Sequence, residues 1–206
     1  MNSKTKTREK QKIVDEDTSL IEKIQAGEVE LFEELVSKYE IRIYNFGVRM
    51  CKDQSDAEDL VQETFINIFK YLGGFRMETR FKNWVYKIAA SVCLKIKKKN
   101  GTADKYMPFE EIFPVTEKEI SDQAPEWTYL PVEVLMNKEL ADKIKSELDK
   151  LLPKYRIVLV LRDIEGFSTK EVVEILNISE SNVKVRLLRA RAFLRDGLRR
   201  YFDEEK

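Results

Sequence analysis

The sequence predicts an all-α protein: two small helical domains joined by an acidic linker, the C-terminal one a helix-turn-helix. Three observations lead there. Apolar residues recur at spacings of three and four over residues 19–100, and again from about residue 132 onwards. Four of the five prolines, Pro108, Pro114, Pro125 and Pro131, fall between those stretches. Residues 166–201 read as two helices joined by a tight turn, the second heavily basic.

Residues 1–16 form the expected flexible basic tail, with lysines from Lys4 to Lys12. The first domain, 17–100, begins with helices over 20–26 and 28–50. Leu31, Leu35, Tyr39, Ile43 and Phe46 share one face of the second helix. Ser55 opens a third helix, with Glu58 completing a capping box, and Gly73–Gly74 ends it near Leu72. A fourth spans about 79–98. The linker, 101–131, carries Phe109, Phe113, Trp127 and Tyr129, too aromatic for a bland spacer. Helical periodicity then defines a second domain over 132–206, where Pro153 suits the first turn of a helix.

The helix pair within 166–201 has the most geometric content. Ser168 can cap the first helix while Glu171 reaches back, and Phe167 and Val172 flank this box as a hydrophobic staple. That helix runs to about Leu176. Asn177 and Ile178 make the turn, because asparagine tolerates left-handed backbone. Ser179 caps the second helix. Its buried stripe is Val183, Leu187, Ala190, Leu194, Leu198 and Tyr201; Lys184, Arg186, Arg189, Arg191, Arg195, Arg199 and Arg200 lie mostly off it. Such a helix fits a DNA major groove, with its N-terminal side chains at base edges and later arginines at phosphates. A soluble amphipathic helix with a solvated basic face is the blander alternative.

Composition bounds the chemistry. The 206 residues hold 37 basic and 37 acidic side chains, and the zero balance conceals a pattern. The tail and the last helix are basic, whereas residues 101–137 hold eight acidic residues against Lys105 and Lys118. Separate basic surfaces favour nucleic acid. No histidine is present, which removes the commonest metal ligand and general base. No phosphate-cradling glycine loop or nucleophile–base arrangement is visible, so the expectation is no enzyme, no cofactor and no metal. Cys51 and Cys93 read as core thiols of a reducing compartment. The polar N-terminus and the lack of a run of about 18 apolar residues point to a cytoplasmic protein without stable membrane insertion.

Two further stretches admit more than one reading. The third helix presents a largely acidic outer face, Asp56, Asp59, Gln62, Glu63, Asn67 and Lys70, which suits partner binding and plain solvation equally. The segment 75–99 interleaves Phe75, Phe81, Trp84 and Tyr86 with Arg76, Arg80, Lys82, Lys87 and Lys95. That is the composition of a surface for unpaired bases, but Phe81, Trp84, Ile88 and Val92 also fit a core stripe.

DAEDLVQETF, the FR…F..WVYKIA stretch and LPKYRIVLVLRDIEGFSTKEVVEILNISESNVKVRLLRARAFLR together resemble bacterial sigma factors of the extracytoplasmic-function (ECF) group, in the sigma-70 superfamily. The likeness covers about residues 31–100 and 148–195, in the family's order and spacing. It implies a first domain that binds core RNA polymerase and melts the minus-ten element, and a second that reads the minus-thirty-five element. Asp56, Asp59, Gln62 and Glu63 would then meet the clamp helices of the largest polymerase subunit, with the flap as a second contact. The loop 74–80 and the helix after it would hold a flipped base of the melted strand, through Arg76, Arg80, Lys82, Lys87, Ser91 and Lys95. Lys184, Val185, Leu188 and Arg189 would face the major groove; Ser168, Thr169, Arg186 and Arg191 would sit nearer phosphates or brace the fold. The resemblance also implies an anti-sigma factor. Three positions depart from the family habit: Ser91 stands for asparagine, Lys95 for an acidic or amide residue, and Met77 for glycine. All three fall where the melted strand would be read. A stand-alone DNA-binding regulator remains the competing class.

Overall fold

The computed structural model describes residues 12–51, 53–99 and 138–204, and every regular element among them is a helix. Most of the basic tail, the whole acidic linker and residues 132–137 of the second domain lie outside the described residues. Helix α1 (Thr18–Ala26) and a 3-10 turn (Val29–Leu31) lead into α2 (Phe32–Met50). Helices α3 (Gln54–Leu72) and α4 (Phe81–Lys99) complete the first unit. The second unit contains α5 (Lys138–Lys150), α6 (Pro153–Leu159), α7 (Thr169–Leu176) and α8 (Glu180–Glu204).

The apolar spacing explains the packing. Leu35, Tyr39, Ile43 and Phe46 of α2 are fully buried, as are Leu60 and Ile68 of α3. Helices α2 and α3 cross closely enough that a Cβ on Gly47 would stand 3.2 Å from the Ala57 Cα. Phe81, Val85, Ala89 and Val92 of α4 close the core. Cys51 and Cys93 are buried, and no disulfide joins them.

Three element starts differ from the sequence expectation. The helix expected from residue 28 begins as the 3-10 turn. Asp53, not Ser55, caps α3: its carboxylate accepts the Asp56 N–H at 2.9 Å, so Ser55 falls inside the first turn. Glu58 instead accepts from the Gln54 side chain at 2.9 Å. Helix α4 starts at Phe81 rather than Thr79, because its first N–H is taken by the carboxylate of distant Asp15 at 2.7 Å.

Helix α6 starts with Pro153 in its first turn and ends in a π-helical turn over Val160–Ile164. There the Glu165 N–H bonds to the Val160 carbonyl at 2.9 Å. This wide turn delivers Glu165 and Phe167 to the first unit. Phe167, 1% exposed, stacks edge-on against Tyr86 with centroids 4.8 Å apart. Burying a phenylalanine this completely contributes about 1.5–3 kcal/mol. Glu165 accepts the Tyr86 hydroxyl at 2.5 Å and Arg49 at 3.2 Å. Arg156, 1% exposed, donates to the Met50 carbonyl at 3.1 Å and to Asp149 at 2.9 Å. The two helical units therefore share one continuous core, with α4 packed on α7.

Candidate nucleic-acid interface

Helices α7 and α8 form the expected helix-turn-helix. Ser168 Oγ accepts the Glu171 N–H at 3.3 Å, and the Glu171 carboxylate accepts the Ser168 N–H at 2.8 Å. A box of this kind is worth about 1 kcal/mol. Phe167 and Val172 are both buried beside it. Asn177 takes the left-handed turn at φ 52°, ψ 48°. Ser179 Oγ then accepts the Asn182 N–H at 3.2 Å and starts α8.

On α8, Val183, Leu187 and Ala190 are buried, and Leu194, Leu198 and Tyr201 are half-buried. Lys184 is exposed on the outer side, its ammonium 2.8 Å from Glu180. Val185, Arg186, Leu188 and Arg189 are half-buried, and Arg189 donates to the Tyr155 hydroxyl at 3.4 Å. Arg191 is a brace: its guanidinium forks onto Asp163 at 2.8 and 2.7 Å. Ser168 is likewise committed to the cap, with Thr169 as the first helical residue. Ser181 and Asn182, exposed in the first turn of α8, extend the outer face beyond the residues expected from sequence. Their signal was position alone, directly after the Ser179 cap.

The loop 73–80 borders a cavity of about 400 Å³ lined by Tyr71, Gly74, Phe75, Arg76, Glu78, Thr79 and Trp84. Phe75 and Trp84 stack with centroids 4.8 Å apart, which gives the cavity an aromatic wall. Met77 is 3% exposed and adopts φ 58°, the left-handed region that favours glycine. Arg76 is exposed beside Glu78 at 3.8 Å. Lys87 and Ser91 are exposed along α4. Lys95 lies one turn beyond Ser91 on the same exposed face of α4 and also lines a groove of about 410 Å³ with Asp56, Asp59, Gln62, Glu63, Ile66, Ile96 and Lys99. The four residues expected to face a protein partner thus share one groove.

Arg80 and Lys82 face the second unit. Arg80 lies 3.8 Å from Glu171, and the Lys82 ammonium sits 4.3 Å from the centre of the Phe167 ring. Beside them the Thr79 hydroxyl donates to Glu174 at 3.1 Å, and the Asn83 amide reaches the same carboxylate at 3.5 Å. Burial alone would raise the Glu171 carboxyl, but the Ser168 backbone and hydroxyl bonds and the charges of Arg80 and Lys82 outweigh it and hold it below its usual value. Loop 73–80 and the first helix of the helix-turn-helix therefore close on each other.

Comparison with known proteins agrees with this geometry. Residues 35–102 match the model of Sigma-70 region 2, and residues 141–194 match that of Sigma-70, region 4. The chain is 33% identical over 184 residues to the ECF RNA polymerase sigma factor SigW of Bacillus subtilis (strain 168), covering 87% of this chain and 95% of that one. The solved structure of CnrH in complex with the cytosolic domain of CnrY superposes with a TM-score of 0.63 at 24% identity, covering 89% of this chain and 97% of that one. The sigma factor RpoE, in complex with the anti-sigma factor NepR from Bartonella quintana, gives a TM-score of 0.58 at 20% identity over 82% of this chain and 96% of that one. Both likenesses concern the fold. With region 2 and region 4 matched in order and one relative spanned almost end to end, the chain belongs to the ECF RNA polymerase sigma factors, a family of transcription initiation factors.

Proposed function

We propose that this sigma factor grips a promoter at two points while bound to core polymerase. Helix α8 enters the major groove of the minus-thirty-five element with Val185, Leu188 and Arg189 at base edges and Lys184 at the groove's edge, within reach of its phosphates, joined by Ser181 and Asn182 at the helix N-terminus. Arg186 serves the flanking phosphates. The aromatic-walled cavity beside loop 73–80 takes an extruded base of the minus-ten element, with Arg76, Arg80, Lys82, Lys87 and Ser91 along the strand. Asp56, Asp59, Gln62 and Glu63 offer their groove to the clamp helices of the largest polymerase subunit, with Lys95 at its border, where it can still extend the line of Lys87 and Ser91. The protein supplies recognition and no catalysis of its own, and it works on polymerase in the cytoplasm; no described helix is long and apolar enough to cross a membrane.

The observation that carries this reading is the pairing of two built surfaces, a doubly capped helix-turn-helix and an aromatic-walled cavity with Arg76 at its edge. Lys82, with its ammonium over the Phe167 ring, and Arg80, beside Glu171, would reach the strand more freely with the two units parted, so opening should favour promoter binding. An anti-sigma factor that favours the closed arrangement would keep the protein silent. The two solved relatives, captured with CnrY and with the anti-sigma factor NepR, support that control.

The test is run-off transcription with purified core polymerase across a promoter library. Initiation at a defined sequence class is expected, and Asp59→Lys with Glu63→Lys should abolish it without changing the thermal midpoint. A folded protein that gives no promoter-specific initiation with active core enzyme would refute the reading.

A further inference from the structure

Loop 73–80 is held by the N-terminal segment at three points. At its start, the Gln25 amide on α1 donates to the carbonyls of Leu72 at 2.8 Å and Phe75 at 3.0 Å. At its middle, the Ile13 N–H donates to the Met77 carbonyl at 2.8 Å. At its end, the Asp15 carboxylate accepts the Phe81 N–H at 2.7 Å. Every one of these bonds ends on a backbone atom, so the frame is independent of the loop's own side chains.

Asp15 does the work of an N-cap from outside the helix. Arg80 occupies the cap position of α4, where its carbonyl accepts the Trp84 N–H at 3.2 Å, but it has no short side-chain oxygen to satisfy the first amides. Asp15 supplies that oxygen across 66 residues of chain. Its other oxygen is fixed by the Asp17 N–H at 3.0 Å and the Thr18 hydroxyl at 3.1 Å. The frame also accounts for Met77. A buried non-glycine residue at φ 58° persists only where its surroundings over-determine it, and here its carbonyl is pinned between two other anchored points.

We propose that Asp15, Ile13 and Gln25 are positioning residues for promoter reading: they hold the loop backbone, and with it the mouth of the cavity, in the shape that accepts one base of the melted strand. The proposal rests on the reading that this cavity receives such a base. A cavity edge that shifts by a fraction of an ångström loses contact with the fitting base more than with others, so discrimination falls before general activity does.

The experiment measures initiation by full-length protein with core polymerase on promoters that differ only at single minus-ten positions. The ratio between the best and the substituted promoter is insensitive to the fraction of active protein, so a merely structural defect leaves it unchanged. Gln25→Ala, on the exposed last turn of α1, and Asp15→Ala should each lower that ratio about fivefold at one position. Asp15→Asn keeps one accepting oxygen for the Phe81 N–H but turns an amide donor towards the Asp17 N–H, so it should restore the ratio only in part. The ratio at minus-thirty-five substitutions should stay at the parent value for all three. Equal loss on all promoters, or no change, in both Gln25→Ala and Asp15→Ala would overturn the proposal. Arg76→Ala and Glu78→Ala, at the cavity itself, separate the two ideas. If they shift the minus-ten ratio and the frame variants do not, only the frame falls; if neither set does, the cavity does not read the base.

Discussion

Glu165 is the polar centre of the closed arrangement, and replacing it with alanine should open the molecule. Its side chain, 12% exposed, accepts from the Tyr86 hydroxyl and from Arg49. Tyr86 is 0% exposed, so Glu165→Ala strands a buried hydroxyl, at a cost of about 1–3 kcal/mol. Arg49 is 37% exposed, and solvent screening holds its share below about 1 kcal/mol. The closed state should therefore lose about 2–3 kcal/mol, or about 30- to 150-fold in the closed-to-open ratio. A ligand that binds only the open state sees its apparent Kd fall in proportion to the open fraction gained. Two measurements check this: the separation of dyes at exposed Ser37 on α2 and exposed Lys170 on α7, and titration of core polymerase. Glu165→Ala should lengthen the dye separation and tighten polymerase binding until the open state dominates. Tyr86→Phe removes the hydroxyl at issue and should act in the same direction but less. A lower thermal midpoint with unchanged dye separation and unchanged polymerase affinity would refute the reasoning.

Other outcomes follow from single residues. Arg189→Ala should lose about 1–3 kcal/mol of discrimination at one minus-thirty-five position, whereas Lys184→Ala should weaken all sequences alike and lower the salt slope by about one; binding to duplex variants at several salt concentrations distinguishes them. Gly47→Ala would put a Cβ 3.2 Å from the Ala57 Cα and 3.3 Å from its carbonyl oxygen, and spreading α2 from α3 should cost about 1–3 kcal/mol in urea unfolding. Glu171 has a lowered folded pKa, so its stabilising contribution is complete above the ordinary value of 4.5 and is lost as pH falls through the lowered value. Glu171→Gln should flatten that part of the acid limb in thermal midpoints recorded against pH.

What the sequence disclosed was local. Ser168 and Glu171 are three residues apart, and Asn177 directly follows the last periodic residue, so cap and turn can be read from neighbours. The stripe Val183, Leu187 and Ala190 needs only helical spacing. Ser55 was a sound cap candidate, but Asp53 is a better acceptor two residues earlier, and spacing alone does not choose between them. Arg156 sits beside an apolar run, and nothing nearby reveals that it reaches the Met50 carbonyl 106 residues away. The same holds for Asp15 as the cap of α4. Composition places Lys95 with Lys87 and Ser91 along α4, but only the packing of α3 on α4 shows that it also borders the acidic groove. Long-range polar partners depend on how helices pack, and periodicity fixes which face is buried without fixing what lies opposite.

The zero net charge then acquires a physical meaning. The chain holds 37 basic and 37 acidic side chains, and some of its DNA-facing cations already lie beside carboxylates of the same chain. Arg80 has Glu171, Lys184 has Glu180, and Arg191 has Asp163. A cation that gives up an internal carboxylate to take a phosphate releases no condensed counterion of its own beyond those the phosphate sheds, and the freed carboxylate gathers cations again. The free protein should therefore bind duplex weakly and with a shallower salt dependence than its arginines and lysines suggest. Opening by polymerase should release Lys82 from Phe167 and Arg80 from Glu171, whereas the Lys184–Glu180 and Arg191–Asp163 pairs lie within the second unit and persist. Non-specific DNA should then compete less well for the free sigma factor than for the form opened on polymerase.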